Sequence, residues 1–289
     1  MKNIAAKFII LSIILFSIIS AFEKNKQVLA QAASPSVSPS ASQTQKQIMQ
    51  KERLTEDISQ TKDELLSQLE SYNRDEKKYR IALSQYQAHQ TLSSIEDVVE
   101  ISRLTMLSRN QVLTTYLKLI RLKLIETEGI EVTHKKEALT RIEQKLILLG
   151  QFKARIEPVN DRIEINQLAD DFVEIGADIK EDCYYSLTLL MLGRLQGVYD
   201  QTNVLESRIK EGVVAENRLD KTLNEQAFKE TDRLIESTQT MLAEQWSELG
   251  KDDLNSKYEA MYRRVYDDLN LIYTKLSQLV SYLGELLDQ

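Results

Sequence analysis

The sequence predicts an all-α protein: an elongated, antiparallel, coiled-coil-like bundle of five to six long helices after an N-terminal signal or anchor segment. Three observations carry this. Of 289 residues three are proline, and Pro35 and Pro39 lie near the N-terminus, so Pro158 alone interrupts everything from Ala41 onward. Proline breaks helix interiors and is common in loops, so its scarcity implies long helices and few turns. The chain has eight glycines, which points the same way. Apolar residues also recur at seven-residue spacing in several segments, most clearly near the C-terminus.

Residues 1–32 read as a signal peptide or a signal anchor. Lys2 and Lys7 precede an uncharged run from Phe8 to Phe22, and Ile19-Ser20-Ala21 and Ala30-Gln31-Ala32 are both candidate cleavage sites. If the segment is retained, residues 4–22 would lie in the membrane. The uncharged run alone spans roughly 22 Å as a helix, short of the ~30 Å of a bilayer core, and Ile4–Ala6 with a snorkelling Lys7 nearly close the gap. Either fate places the rest of the chain outside the cytoplasm. Residues 33–43 are Ser/Pro-rich and uncharged, a flexible tether that cannot bury a core. Residues 44–289 form the helical bundle, with a sub-boundary near 157–161. The sole cysteine, Cys183, leaves no internal disulfide and no cysteine beside the signal to carry a lipid. Stability must come from packing.

The helices follow in order. The first, Thr44–His89, carries one apolar lane, Ile58, Leu65, Tyr72, Tyr79 and Tyr86. Its companion lane is polar (Thr61, Gln68, Asp75), so it lies at the outside of the bundle or projects. The second, Ile95–Thr127, has Ser93 or Ser94 as cap and Gly129 as stop. Its wide face (Val98, Val99, Ile101, Leu104, Leu107, Leu113, Leu117, Ile120, Leu124) marks a central helix. The third, Thr133–Ile156, starts on Thr133 and lines Ala138, Ile142, Leu146, Leu149 and Phe152. Pro158 breaks the chain, and Asp161 with Glu164 resembles a capping box. The fourth, Arg162–Lys210, places Leu168, Phe172, Ile175 and Ile179 inward and stops at Gly212. The fifth, Leu219–Leu249, repeats Phe228, Ile235, Leu242 and Leu249, then ends at Gly250. The sixth, Asp253–Leu287, carries a heptad seam: Tyr258, Tyr262, Val265, Leu269, Ile272, Leu276, Leu279, Leu283 and Leu286. A flanking lane of Tyr266, Tyr273, Val280 and Leu287 widens it, and three lanes are better satisfied in a bundle than in a two-stranded coil.

Chemistry is sparse in the sequence. Glu131 and His134 match half of a di-iron Glu-x-x-His motif, but the only other histidine, His89, has Tyr86 three residues before it, so a second half is missing. Asp170, Glu174, Asp178 and Asp182 stand four apart on one face. Solvation, pairing with a basic neighbour, or a divalent cation could each answer their repulsion. Residues 113–155 carry a net charge of +4 and residues 161–182 of −6, so the third and fourth helices could fold back with opposite charges facing. Gly193 and Gly197 read as a close crossing in the core, and Cys183 as a buried small residue. Twelve tyrosines against six phenylalanines are the remaining oddity. Tyrosine either edges the bundle with its hydroxyl in water, or offers an aromatic surface to a protein or to envelope sugars.

No catalytic, cofactor or metal residues are assigned, and no enzyme activity is expected. The expected function is an exported, possibly membrane-tethered, scaffold or interaction protein of the cell envelope. Its partners would be another protein or a second copy, through helical faces, and the membrane if residues 4–22 are kept. The alternative is an extracytoplasmic ligand-binding or sensor-like bundle. A net charge of −7 without an arginine-rich groove argues against nucleic acid.

Overall fold

The computed structural model describes residues 41–216, 221–249 and 258–287. They form six helices and no strand: α1 Ala41–His89, α2 Leu92–Glu126, α3 Val132–Ile156, α4 Arg162–Glu216, α5 Lys221–Leu249 and α6 Tyr258–Leu287. The protein is an all-α helical bundle. The signal or anchor segment, most of the tether, Gly250 and the expected starts of the fifth and sixth helices lie outside the described residues. Among the described residues no helix is long and apolar enough to cross a membrane. The chain divides into two compact units, residues 1–52 and 53–289. The described part of the first is the opening of α1, where Ile48 and Met49 are exposed.

In the second unit α4 is the shared element. It packs against α2 and α3 on one side and against α5 and α6 on the other. Successive helices run antiparallel. Asn110 Nδ2 donates to the Leu149 carbonyl at 3.0 Å across α2 and α3, and Arg155 reaches Asp171 at 2.5 Å across α3 and α4. Lys210 pairs with Asp232 at 2.5 Å across α4 and α5, and Gln245 donates to Asp268 at 3.1 Å across α5 and α6. Hence α4 runs parallel to both α2 and α6. Arg109 of α2 lies 5.0 Å over the Phe172 ring, and Ile209 of α4 meets Leu279 and Leu283 of α6. Every residue from Asp182 to Leu190 is buried. A helix buried all round is what neighbours on every side require.

The heptad seams do what their spacing implies. On α6 Tyr258, Val265, Leu269, Ile272, Leu276, Leu279 and Leu283 are buried. On α1 the lane Ile58, Leu65, Tyr72 and Tyr86 is buried, with Tyr79 partly so. α1 makes few close backbone approaches to the other helices, and Ala82 and Tyr86 are where it packs on Val98 of α2. Asp75, in its polar lane, accepts from Ser108 of α2 at 2.5 Å, so that lane is paired rather than idle.

Several boundaries and faces differ from expectation. α2 is capped by Thr91, whose side chain accepts from the Ser94 amide at 3.2 Å, not by Ser93 or Ser94. The helix begins a turn early, so Ser94 supplies the orphan amide instead of capping it. On α2 Leu104 is exposed, while Thr105, Arg109, Asn110 and Thr115 are buried. α3 starts after Glu131 with no side-chain cap bond, so Thr133 lies inside the helix. Asp161 does cap α4, its carboxylate accepting from the amides of Ile163 at 2.7 Å and Glu164 at 3.2 Å. α4 runs through Gly212 to Glu216 instead of stopping there. Ile209 packed on α6 and the ion pairs of Lys210 with Glu206 and Asp232 hold this last stretch. They outweigh the ~1 kcal/mol that a helical glycine costs.

Gly193 and Gly197 do receive a close neighbour, but it is a turn and not a crossing helix. A Cβ on Gly129 would lie 2.1 Å from the Gly193 carbonyl oxygen and 2.7 Å from the Gly197 nitrogen. The turn between α2 and α3 therefore rests backbone to backbone on α4. Lys135 ties the same turn down by donating to the carbonyls of Ile125 at 3.1 Å and Thr127 at 2.7 Å, a cation on the C-terminus of α2.

Three backbone predictions follow. Gly129→Ala should lower unfolding stability by about 3 kcal/mol, since backbone cannot yield as a side chain can. Gly150→Ala, which meets nothing within 4 Å in a helix, should raise it by ~0.5–1 kcal/mol. Gln90, after the end of α1, holds a φ of 45°. Gln90→Gly should therefore add ~1 kcal/mol. Urea denaturation followed by far-UV circular dichroism measures all three.

Candidate functional site: a saturated joint and an open edge

The sequence motifs converge where α3, α4, α5 and α6 meet, and there they satisfy one another. The side chains of Glu131 and His134 lie 3.7 Å apart, and His134 Nδ1 is 3.3 Å from the Tyr185 hydroxyl. The same hydroxyl donates to Glu137 at 3.2 Å. The His134 ring stacks on Trp246 of α5 at 5.9 Å, and the Trp246 indole donates to Gln196 at 3.3 Å. The histidine thus joins two helix pairs. Among the described residues no group of three His, Cys, Asp or Glu side chains is placed to hold a metal.

The acidic face of α4 divides along its length. Asp170 and Glu174 are exposed. Asp178 pairs with Lys145 at 3.1 Å, and Asp182, buried, meets Arg141 at 3.4 Å and Lys145 at 3.5 Å. The opposite charges of α3 and α4 therefore do face each other. Arg141 also reaches Glu137 at 2.7 Å and lies over the rings of Tyr185 and Tyr258, at 5.0 and 5.7 Å. Burial works against its charge, but Glu137, Tyr258 and Asp182 outweigh this and hold the guanidinium above its ordinary value.

Cys183 and the nearby tyrosines are sealed. Burial, reinforced by Asp182, pushes the Cys183 thiol far up, which makes it a poor nucleophile. Burial, with Glu259 beside it, pushes Tyr184 up to about 12. Tyr116 is fully buried and likewise raised by burial. At the start of α6 the Tyr258 amide donates to Glu181 at 3.0 Å, and Lys180 bonds Glu259. That bond from Lys180, backed by Arg263, holds the Glu259 carboxyl below its usual range.

Sequence reasoning missed one buried lane. On α5 Thr231, Thr238 and Gln245 are buried at seven-residue spacing beside the expected Leu242 and Leu249. The Thr238 hydroxyl donates to the Leu234 carbonyl at 2.7 Å, returning its polar atom to its own helix. The heptad register itself was the available signal, read without regard to polarity.

Leu271 and Tyr282 are exposed on one side of α6, and a longer lane is open on the other. Tyr266, Tyr273 and Val280 are 40%, 45% and 46% exposed, although they continue the seam by one lane. The fourth expected member, Leu287, has no side-chain description. The rings of Tyr184, Tyr262 and Tyr266 follow one another at 5.2 and 6.3 Å, so a buried aromatic row surfaces at this edge. The tyrosines therefore divide. Tyr72, Tyr86, Tyr116, Tyr184, Tyr185, Tyr199 and Tyr258 are buried, and Tyr266, Tyr273 and Tyr282 are exposed.

No family model matches this chain, and neither a curated protein nor a solved structure matches it.

The joint makes two measurable claims. Arg141→Ala, which leaves Asp182 with Lys145 alone and Glu137 with the Tyr185 hydroxyl, should cost about 1–3 kcal/mol in urea unfolding. Glu259 has a lowered pKa in the fold, so its contribution is present above the ordinary carboxylate pKa and fades as pH falls through the folded value. Glu259→Gln should flatten that acid loss by no more than ~1 kcal/mol, because the pair is partly exposed. Thermal melts across acidic pH check this.

Proposed function

We propose that this chain is an exported, envelope-associated interaction protein without enzymatic activity. Its N-terminal segment carries it out of the cytoplasm and its Ser/Pro stretch serves as a tether. The bundle holds a partner along the open edge of α6. One observation carries the reading. The lane Tyr266, Tyr273 and Val280 is exposed beside the buried Val265, Leu269, Ile272, Leu276, Leu279 and Leu283. Large apolar side chains repeated along one strip are a surface kept for binding.

The state of the polar groups supports the non-enzymatic part. The carboxylates at the joint are engaged with cations: Glu137 with Arg141, and Asp182 with Arg141 and Lys145. Carboxylate chemistry would need an acid and a base facing a substrate across a cleft. Here they face their own counter-ions.

A photo-crosslinking amino acid at position 273, in cells, tests the docking edge. Irradiation should give a covalent adduct with an envelope component from position 273 and none from position 271, on the other side of the helix. Equal adducts from both positions, or none from 273, would count against it. Sequencing the N-terminus of the mature protein tests the tether: a start at or after Ala21 means a freed protein, and a start at Met1 means an anchored one.

A further inference from the structure

We infer that His134 and the Tyr185 hydroxyl form a proton-sensitive switch where α3, α4 and α5 meet. When His134 takes up a proton, the hydroxyl turns from His134 Nδ1 to Glu137. The switch stands apart from the docking edge of α6.

The hydroxyl is the moving part. It lies 3.3 Å from His134 Nδ1 and 3.2 Å from Glu137 Oε2, so distance selects neither partner. It has one proton to give and donates to one of them at a time. Burial, with Glu137 beside it, holds this hydroxyl well above its ordinary value, so it keeps that proton throughout the physiological range. The proton state of His134 makes the choice.

Glu131 fixes the two states. Its carboxylate faces His134 Nε2 at 3.7 Å. A neutral ring therefore keeps its hydrogen on Nε2, because a bare nitrogen there would set a lone pair against a carboxylate. Nδ1 is then an acceptor and takes the Tyr185 hydrogen, and Glu137 Oε2 turns to water. A proton added from solvent goes to Nδ1. Both ring nitrogens are then donors, Nδ1 to the Tyr185 oxygen and Nε2 toward Glu131. The hydroxyl hydrogen swings to Glu137 Oε2, while Oε1 stays with Arg141. One proton is gained, and every group in the chain faces a complementary one.

The surroundings answer the added charge. Glu131 and Glu137 favour it, and so does the face of Trp246 from α5, stacked at 5.9 Å with 21° between the ring planes. Gln196 of α4 accepts from the indole, which fixes that ring. The N-terminal dipole of α3 opposes the charge, because His134 lies in the first turn, and so does Arg141 over the Tyr185 ring. Asp182 of α4 meets Arg141, and Arg194, farther along α4, stands with Glu126. Lys135 is drawn to the carbonyls that end α2, and Lys136 is exposed. On α5 Glu244 and Glu248 stand two residues either side of Trp246, on the opposite face of that helix. From α6 the nearest group is Tyr258, 5.1 Å from the Tyr185 ring. The His134 side chain is 18% exposed, so water delivers the proton. Charging it converts a neutral stack between α3 and α5 into a cation–π contact and adds a bond from α4 to α3. Acid therefore tightens this joint.

The chain has one tryptophan, so its emission reports this ring alone. An imidazolium against an indole quenches that emission, and histidine charges between about pH 8 and about pH 5. Emission of the full chain should fall over that interval. His134→Gln should abolish the fall, and His89→Gln, beside the far end of α2, should leave it intact. Tyr185→Phe separates the hydroxyl from the ring. In the unaltered chain the carboxyl carbon resonance of Glu137 should move together with the emission. In Tyr185→Phe the emission should still fall, and the Glu137 resonance should no longer follow it. Circular dichroism melts establish that the variants fold. Nitrogen NMR of the unaltered chain needs no variant: His134 should carry its hydrogen on Nε2 alone at the upper pH and on both nitrogens at the lower. Emission indifferent to pH or to His134→Gln, a Glu137 resonance that follows the emission equally in Tyr185→Phe, or a neutral ring protonated on Nδ1 each overturns the switch.

Discussion

Everything in the second unit depends on α4 being able to meet a neighbour on every side. From Asp182 to Leu190 every residue of this helix is buried. Around this stretch its neighbours set three conditions. The turn at Gly129 needs bare backbone, which Gly129 and Gly193 supply. α3 needs carboxylates, supplied by Asp178 and Asp182, and α6 needs aromatic faces, supplied by Tyr184 and Tyr185. A helix of 55 residues can serve one set of neighbours in its first half and another in its second, because 3.6 residues per turn bring each face round repeatedly.

The buried polar groups follow from that crowding. A long-range ion pair in low dielectric is worth having only if its remaining hydrogen bonds are filled. Arg141 meets this by binding Glu137 and Asp182 while lying over two tyrosine rings. Threonines solve the same problem locally. Thr188, Thr202 and Thr238 each donate to a carbonyl four residues back, so each turns a methyl group outward and behaves as a small apolar residue. The bundle is therefore specified by paired charges and hidden hydroxyls as much as by leucine.

Much of this was legible in advance. The all-α class, the α6 seam, the α1 lane and the opposed charges of α3 and α4 all came from spacing and sign, which local sequence records directly. Helix ends were read less well. Thr91 caps where Ser93 or Ser94 was expected, Thr133 lies inside its helix, and Gly212 does not stop α4. At Gly212 tertiary contacts, Ile209 on α6 and Lys210 with Asp232, overrode a preference worth about 1 kcal/mol. The faces of α2 and α5 were misjudged for a related reason: reading only apolar residues overlooks buried threonine, asparagine and arginine.

The sequence by itself determined helicity, length and register, because these rest on proline scarcity and on the seven-residue repeat, both properties of the chain alone. It also named the three lanes of α6. Only the tertiary structure decided which lane stays open. Tyr266, Tyr273 and Val280 have the apolar character of a buried lane, and their exposure follows from where α4 and α5 lie against α6, not from the residues themselves. Burial belongs to a pair of surfaces, and a linear sequence states only one of them.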